Sequence, residues 1–81
     1  MNQSSKTEIE AAVLRKLLSH LDSRKDVQNI DLMNLAGFCR NCLAKWYSAE
    51  AEEQGEEVSV DSAKELGYGM TYKEWKDSFQ I

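Results

Sequence analysis

Two cysteines, Cys39 and Cys42, are the only thiols in the chain and stand in the spacing C-x-x-C within "GFCRNCLAKWY". That spacing serves two chemistries. A dithiol can cycle to a disulfide when one sulfur is held as thiolate, which the free N–H groups at a helix start favour. A zinc ion can take both sulfurs, and then needs two further ligands. His20 is the single histidine. A full metal set would need His20 and a carboxylate, or a second C-x-x-C from another copy of the chain. A third reading is structural, because cysteine is a small and often buried apolar residue.

The surrounding pattern decides among these at the level of sequence. Leu32, Leu35, Ala36, Cys39, Cys42, Leu43 and Trp46 fall on one face at about 100° per residue. The spacing predicts one continuous helix from Asn29 or Asp31, both good N-caps, to Gly55, about 24 residues and 36 Å long. Cys39 and Cys42 are then mid-helix, on the inner face, with their N–H groups already bonded. Neither redox nor metal work is expected of them there. Gly37 inside such a helix costs about 1 kcal/mol against alanine; either another backbone approaches closely there or the helix breaks, and close approach is the preferred reason. A helix this long in a small chain implies a partner outside the monomer.

A first helix is expected over 6–23, with Ile9, Val13, Leu17 and Leu21 at intervals of four beside Leu14 and Leu18. Ser5 with Glu8, or Thr7 with Glu10, has the spacing of a capping box. His20 lies at the edge of this stripe. Residues 1–5 should be mobile, and 6–81 form a single helical domain. A short third helix is expected over 60–66, capped by Ser59 or Asp61 and ended by Gly67. "YGMTYKEWK" is the sharpest local signal. Thr71 and Glu74 make a capping box, Met70 and Trp75 a hydrophobic staple, and the last helix runs from Tyr72 to about Phe79.

The 81 residues carry 14 acidic and 10 basic side chains, for a net charge of −4. A negative chain lacks the positive field that phosphate backbones require, so no nucleic-acid partner is expected. No apolar run approaches the roughly 20 residues of a membrane span. The N-terminus has no signal-peptide core, so a cytoplasmic location is expected. Five glutamates in "AEAEEQGEE" read as a solvated helix end, and their spacing matches no calcium loop. The absence of proline suits an all-helical chain.

"GFCRNCLAKWY" and "YGMTYKEWK", in this order and at this distance, resemble the small bacterial proteins grouped as domain of unknown function 1244. The likeness starts near Asn29 and includes Gly37 to Cys42, Trp46, Tyr47, Tyr68 to Met70, Trp75 and Lys76. It implies an all-α fold and a homodimer with interlocked helices. It supplies no reaction, substrate or cofactor, so no catalytic residue is assigned.

The expectation is therefore an all-α domain of about four helices with one long central helix, acting as a dimeric, non-enzymatic interaction module. The alternative is a metal-binding or thiol-redox protein built on Cys39 and Cys42. Expected interface residues are Leu32, Leu35, Phe38, Cys39, Cys42, Leu43, Trp46 and Trp75. Arg40, Asn41, Tyr47 and Tyr68 could line a small polar cleft for an anionic group. The expected partner is a second copy, with another protein as the other candidate. No cofactor and no membrane partner are expected.

Overall fold

A computed structural model describes residues 2–81 and contains only helices among them. They are α1 (Gln3–Asp22), α2 (Asn29–Ala36), α3 (Arg40–Glu53), α4 (Val60–Tyr68) and α5 (Tyr72–Ser78). The chain is all-α, with five helices instead of four.

The extra helix arises at Gly37. The expected continuous helix is two helices, because Gly37 ends α2 in the left-handed conformation at φ 76°, its N–H bonded to the Met33 carbonyl. A left-handed glycine is the commonest way to stop a helix. Phe38 and Cys39 are non-helical, and Cys39 becomes the N-cap of α3 with extended backbone, φ −145° and ψ −178°. Nothing lies within 4 Å of where a Gly37 Cβ would stand. The glycine is there for its backbone angle, not for a neighbour.

The close approach occurs at Gly67 instead. The sequence reading makes Gly67 a helix stop, yet α4 runs through it to Tyr68 and stops at Gly69, φ 68°. A Cβ on Gly67 would lie 2.9 Å from the Arg40 carbonyl oxygen and 3.3 Å from the Arg40 Cβ. Glycine here lets α4 lie directly on the first turn of α3. Ala44 and Ala63, both buried, keep the same two helices close along their length.

Local signals set most other ends. α1 starts at Gln3, three residues before the expected start, because Asn2 caps it: the Ser5 N–H donates to Asn2 Oδ1 at 2.8 Å. The mobility expected of residues 1–5 concerns in part Met1, which lies outside the described residues. Residues 3–5 are helical. The C-terminus of α3 closes as the hexapeptide arrangement that left-handed glycine permits. Glu56 N–H donates to the Ala51 carbonyl at 2.8 Å, and Gly55 N–H to that of Glu52 at 3.0 Å. α5 carries the expected capping box of Thr71 and Glu74.

One apolar cluster gathers Leu21, Leu32, Cys39 and Leu43, flanked by Leu18, Val27, Phe38 and Cys42. Tyr68 and Trp75 are buried beside it, with ring centroids 5.0 Å apart. Only the C-terminal end of α1 joins the core, through Leu21 and the half-buried Leu18. The rest of the 20-residue helix, about 30 Å long, is mostly exposed and meets the body through α4 and the groove beside Leu14. The molecule measures 44 × 26 × 21 Å.

Candidate functional site

The break at Gly37 places the C-x-x-C at a helix start. Cys39 is the N-cap and Cys42 the third residue of α3, so both sulfurs sit over the first turn. They are free thiols 3.7 Å apart, at van der Waals contact. Cys42 Sγ also lies 4.0 Å from the Met33 Sδ. The sulfurs are unequally shielded: Cys39 is buried and Cys42 half-buried. Cys39 is covered by Leu21, Leu32 and Leu43 of its own chain. This corrects the expectation of a mid-helix pair. The predicted face does not survive the break: Leu32, Cys39 and Leu43 are buried while Leu35, Ala36 and Trp46 are exposed, and side-chain spacing alone does not reveal the turn at Gly37.

No group of three His, Cys, Asp or Glu side chains converges among the described residues. His20 is exposed in the last turn of α1. The five glutamates of the acidic run are exposed as well.

Arg40 and its neighbours form the second chemical feature, and it is an interior one. Arg40 is completely buried. Its Nη1 donates to the Val27 carbonyl at 2.6 Å and to Asn29 Oδ1 at 3.2 Å, and its Nη2 to the Arg24 carbonyl at 2.9 Å. The guanidinium lies over the Trp75 ring at 5.1 Å. Asn29 Nδ2 then donates to the Tyr68 hydroxyl at 3.0 Å, and that hydroxyl donates to Asn41 Oδ1 at 2.6 Å. Trp75 Nε1 donates to the Lys25 carbonyl at 2.9 Å. The loop between α1 and α2 is thus fastened to α3 and α5 through its carbonyls.

The expected polar cleft is therefore divided. Arg40, Asn41 and Tyr68 come together, but the Arg40 Nη donors are turned inward to carbonyls and do not face a ligand. Only its Nε lacks a partner. Burial pulls the Arg40 guanidinium below its ordinary range, opposed by nearby Tyr68, Asp26 and Cys39. Burial pushes the Tyr68 phenol up, with the Asn29 hydrogen bond opposing. Tyr47 is elsewhere, exposed on a different face. Asn29, which the sequence suggests as a helix cap, is the connecting residue, and Gln28 is the cap. Gln28 uses its side chain to hold the C-terminus, donating to the Phe79 carbonyl at 2.8 Å and accepting from Ile81 N–H at 3.1 Å.

The third feature is an apolar groove of about 280 Å³, lined by Leu14, Leu43, Trp46, Tyr47, Glu50 and Leu66. Trp46 is 55 % exposed, and Phe38 rests near it with ring centroids 6.1 Å apart. Of the expected interface residues, Leu32, Cys39, Leu43 and Trp75 are buried within the chain, Phe38 and Cys42 half-buried, and Leu35 and Trp46 exposed. Sequence reasoning places Ile9, Val13, Leu14 and Leu17 on a helical stripe, and all four are exposed along α1.

The model of the family described as protein of unknown function (DUF1244) matches residues 27–81, well over half of the chain. The chain belongs to that family. The matched DUF1244 segment starts in the loop that Arg40 holds and includes α2 to α5, with both cysteines and the Arg40–Asn29–Tyr68–Asn41 chain of hydrogen bonds. α1 precedes it. No curated protein sequence matches the chain. No helix among the described residues is long and apolar enough to cross a membrane.

Proposed function

We propose that the protein is a non-enzymatic helical interaction module that works as a symmetric homodimer, with α1 of each copy laid against the apolar face of the other. The carrying observation is the uncovered row Ile9, Val13, Leu14 and Leu17, continuous through Leu14 with the groove of Trp46 and Tyr47. An amphipathic helix gains its stability from burying that face, so an unburied one wants a partner.

The area favours a second copy as that partner. The chain exposes 5973 Å². A compact folded monomer of its mass exposes about 4,900 Å². The surplus of roughly 1,000 Å² compares with about 800 Å² per partner in a standard stable interface. Symmetry supports the same occupant. Ridge and groove lie on one surface of one chain, which a two-fold axis can pair reciprocally.

Sedimentation at micromolar concentration tests this. The wild type should run at twice the 9.2 kDa chain mass. Val13→Glu should run as a folded monomer with unchanged helical circular dichroism, since Val13 is 62 % exposed and contributes little within the chain. A wild type that stays monomeric would overturn the dimer, and would leave the same face to a different protein.

A further inference from the structure

We propose that Cys39 and Cys42 are a dithiol site that reacts with disulfides and closes reversibly to an intramolecular Cys39–Cys42 disulfide. Three observations carry it beyond the dimer reading. The two sulfurs already touch, at 3.7 Å, on a backbone that places one at the N-cap and the other one turn along α3. Bond formation has to draw the sulfurs from 3.7 Å to the roughly 2.05 Å of a disulfide. Next, the Cys39 side chain makes no capping hydrogen bond, so it is not committed to holding the helix start. The positive end of α3 faces this pair, and helix starts stabilise charge on sulfur during exchange. Finally, the pair is asymmetric: Cys42 is half-buried, while Cys39 is buried among Leu21, Leu32 and Leu43. One sulfur can be reached by a co-substrate and the other only by its neighbour.

The co-substrate is a disulfide of a low-molecular-weight thiol, RSSR. Cys42 as thiolate attacks one sulfur of RSSR. The RS–SR bond breaks, a mixed disulfide forms on Cys42, and the departing thiolate takes up a proton as RSH. The Cys39 sulfur then attacks the Cys42 sulfur. The mixed disulfide breaks, the Cys39–Cys42 bond forms, and the second RSH leaves with the proton that Cys39 gives up. Two protein thiols are oxidised and one disulfide is reduced to two thiols, so atoms, protons and electrons balance. Excess RSH runs the sequence backwards.

The test uses the full-length, folded, reduced protein in buffers of defined ratio of reduced to oxidised glutathione, read by mass spectrometry after acid quench and alkylation. The wild type should pass to a species lighter by two hydrogens, without lasting adduct, and return when reduced glutathione is restored. Cys39→Ser should stop at a stable glutathione adduct on Cys42. Cys42→Ser should form no adduct over the same period, because its remaining sulfur is buried. Circular dichroism of each variant establishes that it is folded. Persistence of two free thiols under oxidising buffer would overturn the proposal, as would a wild type that stops at the mixed disulfide. Modification of folded Cys42→Ser at the wild-type rate would overturn the assignment of Cys42 as the attacking sulfur. None of these readings depends on the oligomeric state, so failure here and failure of the dimer are separable.

Discussion

At the scale of single residues, the most constrained part of the molecule is Arg40 and the side chains it meets. A wholly buried guanidinium is costly unless its donors are satisfied. Among the described residues no carboxylate pairs with it. Carbonyls of Arg24 and Val27 and the Asn29 amide satisfy its Nη donors and the Trp75 ring faces the cation, while Nε is left without a partner. Tyr68 extends the chain to Asn41, and its phenol gives a test. Tyr68→Phe should lower stability by about 1 kcal/mol at neutral pH, the worth of a typical lost hydrogen bond. It should also change the alkaline limb. Burial raises the folded Tyr68 value above that of the unfolded chain. The unfolded state therefore loses its proton first as pH rises above about 10, and stability falls from there until the folded phenol ionises too. Chemical denaturation across that window should show a shallower fall in Tyr68→Phe than in the wild type. Equal slopes would place the phenol outside the network.

The element scale is governed by two glycines whose expected roles are exchanged. Gly67→Ala replaces a poor helix former with the best one, yet should destabilise by about 1–3 kcal/mol through overpacking. The added carbon would meet the Arg40 carbonyl at 2.9 Å and force α3 and α4 apart. Gly37→Ala has open space around it but must hold φ 76°. Its cost should be about 1–2 kcal/mol from the backbone alone. Asparagine, which tolerates the left-handed region, should cost less at Gly37 and should be no relief at Gly67. Urea denaturation of the four variants separates crowding from backbone angle. This break also moved the cysteines. A continuous helix would have spent their N–H groups in the ladder, whereas a new start leaves both sulfurs over its first turn.

For the whole molecule, shape is the informative property. Its radius of gyration is 13.7 Å. A compact chain of this length has about 12 Å. The difference lies in α1, which joins the core at Leu21 and projects beyond it with Ile9 and Val13 exposed. If a second copy covers that helix, unfolding and dissociation are linked. The wild-type melting temperature should then rise with protein concentration, and that of Val13→Glu should not. A concentration-independent wild type would sever stability from association.

Much of this protein was written in local sequence. The Thr71–Glu74 capping box, the end at Gly55, the stripe of α1 and the all-helical class each depend on residues within a turn or two of one another. Short-range hydrogen bonds and side-chain periodicity act before any tertiary contact forms, so they can be read directly. What tertiary structure decided depends on residues far apart in the chain. Gly37 and Gly67 look alike as letters, and only the position of α4 on α3 shows which one must lack a Cβ. Arg40 looks like a surface cation until the Arg24–Val27 loop and Trp75 close around it, because burial of a charge is settled by distant carbonyls. The environment of Cys39 followed the same rule: its spacing to Cys42 was local, but its covering by Leu21 and Leu32 required three helices to meet.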